Sequence, residues 1–327
     1  MSYPVAAPYN TTPAYSGTFI PEIWSARLNA KFYKTTLFGE IANTDWQGDI
    51  SGLGDKVIIN NIPDVSINDY TVGGTLSYEV PTPNTVELLI DKGKSFSFQV
   101  NDVLAMQAKP NLMEMFTGNA TTRMKIYVDA DVLFGTYNQA AAANMGATAG
   151  VRSASYNLGT DTSPVDLAAS ADAALEMILR LGAVLDEQDV PDEGRWLAID
   201  AQTRNKLMGS KLAQANIMGD ASSMVRNGKI GMIDRFTVYL SNNLPRGVLD
   251  KAWVNGLTDP ATGAAAVGKV ARRAIMAGHK SAITFASQMT KMETLRIQTD
   301  FGDYVRGLNV YGYKVVKPEA LALAVVK

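Results

Sequence analysis

Apolar positions along the chain change several times between helical and strand spacing. Residues three and four apart predict a long helix over 111–144 and a shorter one over 281–288. Residues two apart predict strands over 294–299 and 308–316, after which Pro318 ends the sheet. Because both spacings recur within one chain, the pattern favours a mixed α+β fold.

A long two-stranded ribbon is predicted ahead of the long helix. Alternating apolar residues around Val57 and around Leu88 form its two arms, and the stretch 64–83 between them is rich in turn-forming residues. This stretch has too few apolar residues to build a core, so the ribbon needs an outside surface. We expect that surface to be basic, with a solvated acidic loop as the alternative interpretation. The ribbon has no Lys or Arg between residues 57 and 91, and its acidic residues are Asp64, Asp69, Glu79, Glu87 and Asp91.

The first 20 residues carry no charge and space three prolines among aromatic residues. Such a composition resists helix formation and favours an extended segment. It is interpreted either as a frayed terminus or as an arm whose aromatic side chains pack on a neighbouring subunit. In the second interpretation the contacts include Tyr9 and Tyr15, together with Trp24 on the helix that Pro21 opens.

The second half of the chain is predicted to begin after a turn-rich linker over 146–163. The following elements are a helix that starts at 163–166 and buries Ile178 and Leu181, a buried strand over 196–199, and a helix over 200–208.

Composition and charge exclude several classes of function. With 327 residues the chain is long for one core, so we expect two compact units with extensions. A formal net charge of -2 provides no long-range field for capturing phosphates. The absence of Cys excludes disulfides, thiolate metal sites and Cys nucleophiles. No apolar run is long enough to span a bilayer, and the amino terminus lacks the pattern of a secretory signal.

Residues suited to catalysis or metal binding are few. His279 is the only histidine, which excludes multi-histidine metal sites and His-based triads. The carboxylates within 186–192 stand at a helix end and in the following turn, where solvated charges are common. The stretch 263–269 has the glycines and lysine of a phosphate-binding loop, but Val270 replaces the Ser or Thr that would bind Mg²⁺. We therefore predict no catalytic residue, no cofactor, no metal site and no enzymatic activity.

Five stretches of sequence carry a resemblance to a known family. They are GHKSAITF at 278–285, FGDYVRGL at 301–308, YGYKVVKPEA at 311–320, GMIDRFTVYLSNNLP at 231–245 and PDEGRW at 191–196. Their order resembles that of tailed-phage major capsid proteins, which have the Hong Kong 97-type fold. The likeness extends over most of the chain.

The resemblance implies a division of the α+β subunit into named parts. These are an amino-terminal arm with the first helix (1–46), an extended β-hairpin loop (47–100), a peripheral domain (101–150 and 281–316, with a spine helix over 111–144) and an axial domain (151–280 and 317–327).

It also implies contacts between subunits. The loop, with Asp64, Asp69 and Glu79, is expected to meet Arg123 and Lys125 on the spine helix of a neighbour. Some relatives crosslink this loop through a lysine, but here no Lys lies between residues 56 and 92, which places such a crosslink at the loop tip in doubt.

The function implied is assembly into hexamers and pentamers of an icosahedral shell that encloses double-stranded DNA without sequence-specific binding. A scaffolding protein, a portal and a decoration protein are expected partners, no membrane is involved, and the protein is expected in the virion and, during assembly, in the host cytoplasm. One alternative is a same-fold nanocompartment shell with protein cargo. Another is a nucleotide-binding enzyme that uses the 263–269 loop.

Overall fold

A computed structural model describes residues 36–46, 56–61, 63, 65–69, 72–73, 75, 78–101, 112–210, 231–247, 272–296 and 301–327. The predicted contact residues Tyr9, Tyr15, Trp24 and Asp64 lie outside these ranges, as does the stretch 263–269.

The described residues form four α-helices and twelve strands. The helices are α1 (Phe38–Ile41), α2 (Leu112–Thr136), α3 (Ala173–Glu187) and α4 (Ala201–Met208), and a 3₁₀ turn spans Ala142–Asn144. The strands are β1 (Ala42–Asn43), β2 (Lys56–Asn61), β3 (Asn84–Leu89), β4 (Lys92–Asn101), β5 (Arg195–Ile199), β6 (Met232–Ile233), β7 (Phe236–Leu240), β8 (Arg246–Gly247), β9 (Arg272–His279), β10 (Ile283–Arg296), β11 (Gly302–Val315) and β12 (Leu321–Val326).

A four-stranded sheet has the order β1-β10-β11-β4. Its long strands β10 and β11 are antiparallel, and β4 continues the antiparallel pairing on the other side of β11. Phe98 of β4 lies opposite Val305 of β11 and makes an edge-to-face contact with Phe116 of α2, their ring centroids 5.9 Å apart. The long helix α2 therefore packs against one face of this sheet.

A second sheet has the order β12-β9-β5-β7-β6, with β8 paired to β9. All six residues of β12 are buried, which is the pattern of a strand covered on both faces. Helix α3 buries Ile178, Leu181 and Leu185 in the same core. This sheet and α3 form the most completely buried part of the described structure.

Two elements match their predictions closely. Strand β5 is buried at all five positions. Helix α4 begins after Asp200, whose side chain accepts a hydrogen bond from Thr203 N at 2.9 Å, and Gly209 ends it.

The prediction of a helix over 281–288 is wrong, because β10 begins at Ile283. Residues 282–286 are all buried. In this part of β10 the neighbours β1 and β11 pair with its two edges, and the burial of consecutive residues shows that both of its faces are covered. Such a strand loses its two-residue alternation, and short apolar runs of this kind do not separate helix from strand.

The long helix ends at Thr136 rather than at Asn144, and Gly118 and Gly135 do not interrupt it. Asn144, which lies beyond the end of the helix, makes hydrogen bonds to another part of the chain. The Asn144 side-chain amide donates to the carbonyl oxygens of Glu319 at 2.6 Å and Leu321 at 3.0 Å. These bonds attach the segment after α2 to the start of β12.

Residues 163–166 do not start helix α3, which begins at Ala173 after Asp172. Val165 instead lies beside β12, where its N–H donates to Val325 O at 2.9 Å and its carbonyl accepts from Lys327 N at 2.9 Å. The local cap pattern was overridden by backbone pairing to a distant strand.

Candidate assembly surface

The extended loop forms an antiparallel hairpin of β2 and β3, with Val57 opposite Leu88 and Ile59 opposite Val86. Beyond the paired strands, Ser66 N donates to a carboxylate oxygen of Glu79 at 3.0 Å. This hydrogen bond lowers the pKa of Glu79 and joins the two arms of the loop. Glu79, predicted as a contact to a neighbour, thus also stabilises its own hairpin.

The distal part of the hairpin exposes large apolar side chains. Ile67 is 98% exposed and Tyr78 is 88% exposed, and Val65, Val72 and Val80 are exposed as well. Such a concentration of apolar side chains on a narrow ribbon is typical of a surface that is covered by a partner. No described residue of the same subunit covers them.

The base of the hairpin is anchored to the body of the subunit. Ile59 and Leu88 form a small buried cluster with Ala286 of β10 and Val316 just after β11. Gly312 of β11 approaches the hairpin so closely that a Cβ atom there would collide with Leu89 O. The hairpin is therefore held firmly at its base, while its distal part is left uncovered.

A cleft lies between α2 and β4. It encloses about 430 Å³, and its lining residues are Lys94, Ser95, Phe96, Ala120, Arg123, Met124 and Tyr127. Aromatic and thioether groups line it between two cationic side chains, Lys94 and Arg123. No ion pair joins either cation to another residue in the described part of the chain. The cleft therefore combines apolar surface with uncompensated positive charge.

The amino-terminal half of α2 is open to the surroundings, since no side chain from Met113 to Lys125 is buried. Phe116 is among its exposed apolar residues. Arg123 and Lys125 are both exposed on this half of the helix, and Arg123 lines the cleft. Asp69 is exposed on the distal hairpin. The structure thus places the predicted basic and acidic residues on two separate exposed surfaces.

Among the carboxylates considered for chemistry in the sequence, three aspartates form ion pairs, and Glu187 accepts hydrogen bonds from the backbone N–H groups of Arg152 and Ser153. Arg195 is almost fully buried and reaches Asp186 at 2.6 Å and Asp192 at 3.2 Å. Arg235 binds the same two carboxylates, at 2.6 Å and 2.7 Å. Burial alone would raise the pKa of Asp186, but the hydrogen bonds from both arginines outweigh it and lower that pKa. An ionised carboxylate held in this way stabilises the turn after α3.

His279 has a structural position. Its Nδ1 accepts from Ser281 N at 3.2 Å and lies 2.8 Å from Ser281 Oγ. Burial lowers its pKa, a backbone hydrogen bond at Glu193 opposes that shift, and the nearby positive charges of Lys317 and Arg195 add to it. A neutral imidazole in a turn between β9 and β10 fits the expected structural role.

Two polar contacts of α2 were missed in the sequence. Tyr311 donates its hydroxyl hydrogen to Asp131 Oδ2 at 2.9 Å, and Tyr313 donates to the backbone carbonyl of Asp131 at 2.9 Å. Gly135 leaves the space that the Tyr313 ring occupies. The alternation of β11 in the sequence could have indicated the buried Tyr311 and the half-buried Tyr313, but not their partners.

Within the described ranges, no group of three or more His, Asp or Glu side chains is placed to hold a metal ion. None of the helices in the described part of the chain has the length and apolar character needed to cross a bilayer.

No protein-family model matches the chain, and neither does any curated protein. Solved structures do match it over nearly its whole length. A structure from Mycobacterium phage Che8 shares 29% identity at a TM-score of 0.70 and covers 93% of this chain and 96% of its own. The capsid structure of cyanophage P-SCSP1u has 14% identity and a TM-score of 0.67, with 96% and 98% covered. The capsid of Ralstonia phage GP4 has 14% identity and a TM-score of 0.59, with 98% and 99% covered.

These likenesses define the chain as a protein with the α+β fold of phage capsids. The resemblance to tailed-phage major capsid proteins that its sequence motifs carry is confirmed. The neighbours are structural capsid proteins rather than enzymes, in agreement with the prediction of a non-catalytic shell subunit.

Proposed function

We propose that this protein assembles into hexamers and pentamers that form an icosahedral shell around double-stranded DNA. The observation that carries the proposal is the hairpin, which is anchored at its base and exposes Ile67 and Tyr78 at its distal end. Burial of apolar surface is the main driving force of association. A subunit with such a hairpin is completed by another copy.

The proposed partner surface is the cleft between α2 and β4 of a neighbouring copy. The hairpin is acidic, with Asp64, Asp69 and Glu79 in its distal part, and the cleft and its surroundings carry Lys94, Arg123 and Lys125. Opposite charges orient the two surfaces, and the apolar side chains of both then become buried. Many such contacts in a closed symmetric assembly make the shell more durable than one interface.

The subunit is also proposed to divide into a peripheral domain and an axial domain. The four-stranded sheet and α2 correspond to the peripheral domain, and the second sheet with α3 and α4 corresponds to the axial domain.

Tyr9, Tyr15 and Trp24 are proposed to contact a neighbouring subunit from the arm. A scaffolding protein, a portal and a decoration protein are proposed partners, and assembly is proposed to occur in the host cytoplasm.

Electron microscopy of the expressed protein, with and without the scaffolding protein, tests the proposal. We expect closed particles, and native particles should contain nuclease-protected DNA. A subunit that stays monomeric under both conditions would overturn the proposed function. Protein cargo in place of DNA would instead support a nanocompartment shell.

A charge exchange tests the interface itself. Arg123→Glu should reduce the yield of particles at least tenfold, because it places like charges in the interface. Asp69→Lys in the same chain should restore part of the yield. Lys280→Glu is the matched control, because Lys280 is equally exposed but lies in the turn between β9 and β10. Normal assembly of the Arg123→Glu, Lys125→Glu double variant would contradict this interface.

A further inference from the structure

A buried carboxylate on α2 lies at the meeting point of three parts of the subunit. Asp129 is fully buried. Its Oδ1 accepts hydrogen bonds from Leu37 N at 2.6 Å and Phe38 N at 2.7 Å. Its Oδ2 accepts one from Asn243 Nδ2 at 2.5 Å. The donors are about 90 and 114 residues away in sequence, so no local pattern brings them together.

The first pair of donors belongs to the start of the described chain. Leu37 and Phe38 open α1, which leads directly into β1, and β1 pairs in parallel with β10 in the four-stranded sheet. The Phe38 ring packs against Phe285 of β10, with centroids 4.9 Å apart. Asp129 therefore fixes the point from which the amino-terminal 35 residues depart.

The third donor belongs to the second sheet. Asn243 lies in the loop after β7, and Ser241 N in that loop donates to Ile199 O at 2.9 Å. At the other end of the loop, Pro245 O accepts from Ala274 N at 3.1 Å. The loop is thus bonded to both β5 and β9, so a displacement of Asn243 is passed on to this sheet.

The two sides of Asp129 are coupled through its charge. No cation in the described part of the chain forms an ion pair with it, so the three donors are what compensates the buried carboxylate. A buried charge that loses one donor is left insufficiently solvated, and its surroundings must rearrange. Such a carboxylate takes up a proton more readily, and the neutral carboxyl accepts hydrogen bonds more weakly, so loss of the donor on one side should weaken the hydrogen bonds on the other side.

We infer that Asp129 is a positioning residue that couples the root of the amino-terminal segment to the loop of the second sheet. The coupling stands on contacts within one subunit. Its consequence for shell assembly, that loss of the coupling lowers the yield of particles, rests on the proposed function.

Amide hydrogen exchange on the dissociated subunit tests the coupling. Asn243→Ala removes the donor from the second sheet without touching Leu37 or Phe38. We expect exchange at the Leu37 and Phe38 amides to become at least tenfold faster. Asp129→Ala should accelerate exchange there and at Ser241 as well. Asp131→Asn is the matched control on the same helix, since it alters the contact with Tyr311 and should leave these amides unchanged.

Unchanged exchange at Leu37 and Phe38 in a folded Asn243→Ala subunit would overturn the inference. If that variant does not fold, Asn243→Leu, which retains most of the side-chain volume but cannot donate, takes its place with the same expected result. Normal particles from a variant with accelerated exchange would overturn only the consequence for assembly. Loss of particles with unchanged exchange would leave the proposed function standing and overturn the coupling.

Discussion

The hairpin and the second sheet use the same kinds of apolar residue in opposite ways. In the second sheet, β12 buries every side chain against α3 and the neighbouring strands. In the hairpin, only the base is buried, and Ile67 and Tyr78 are directed to the surroundings. The comparison teaches that the second sheet buries its apolar side chains within one chain, whereas the hairpin leaves apolar side chains exposed.

The difference has a geometric cause. A strand of a larger sheet has layers of structure above and below it, so each apolar side chain finds cover, even in β12 at the edge of its sheet. A two-stranded ribbon has neither, and three or more strands or a packed layer are needed for independent stability. The four-stranded sheet is covered to an intermediate extent, since α2 packs on one face of it and the cleft beside β4 remains open.

The largest expected effect is on the second sheet. Leu181→Ala removes a fully buried side chain of α3 and should lower the free energy of unfolding by about 2–5 kcal/mol. Urea unfolding of the dissociated subunit measures it. A loss well below about 1 kcal/mol would mean that this core is not closed as described.

A smaller effect is expected where the hairpin meets the body. Gly312→Ala places a Cβ atom against Leu89 O, so the hairpin base must shift, at a cost of about 1–3 kcal/mol. Hydrogen exchange should become faster in β2 and β3 and remain slow in β12. Equal acceleration in both regions would contradict a separate anchoring of the hairpin.

A pH-dependent effect is expected at Asp129. Burial raises the pKa of Asp129, and the hydrogen bonds from Asn243, Leu37 and Phe38 offset only part of that shift. A carboxyl whose pKa is higher in the folded state adds stability below its unfolded pKa of about 3.9, and this stability is lost as the pH rises through the folded pKa. The contribution is about 1.4 kcal/mol for each unit by which folding raises the pKa.

Asp129→Asn removes this dependence. The stability of the variant minus that of the wild type should therefore be lowest near about pH 4 and should increase towards about pH 8. Thermal unfolding of both proteins at a series of pH values checks the direction. A stability difference that does not change with pH would contradict a raised pKa at this site.

The smallest effect on subunit stability is expected in the distal hairpin. Ile67→Ser should change the free energy of unfolding by less than about 0.5 kcal/mol, because the side chain is 98% exposed. The same variant should nevertheless raise the protein concentration needed for assembly. A loss of more than about 1 kcal/mol in the dissociated subunit would indicate that the hairpin folds back on its own body.

Several elements were predictable from local pattern. The buried strand β5 and the helix α4 with its Asp200 cap follow from an apolar run and a capping residue, both of which act over a few residues. The hairpin was predictable from alternation and turn residues. The 281–288 stretch was not, because its apolar spacing suits a helix equally well and only the pairing with β1 and β11 makes it a strand.

The candidate surface was predictable only in part. Arg123 and Asp69 were recognised from charge, since charge is visible in the sequence. The apolar lining of the cleft was missed, because it combines Phe96 of β4 with Met124 and Tyr127 of α2. Asp129 was missed for the same reason, as its three donors come from distant parts of the chain.

The sequence by itself indicated the resemblance to phage capsid proteins, and it determined the acidic and uncharged segments and the elements whose apolar spacing is unambiguous. These depend on residue type and short-range spacing, which a single chain displays directly. The tertiary structure alone decided where the long helix ends, that residues 283–288 belong to a strand, and which groups surround Asp129. Those outcomes depend on hydrogen bonds and burial between residues far apart in sequence, where packing energies exceed local conformational preferences.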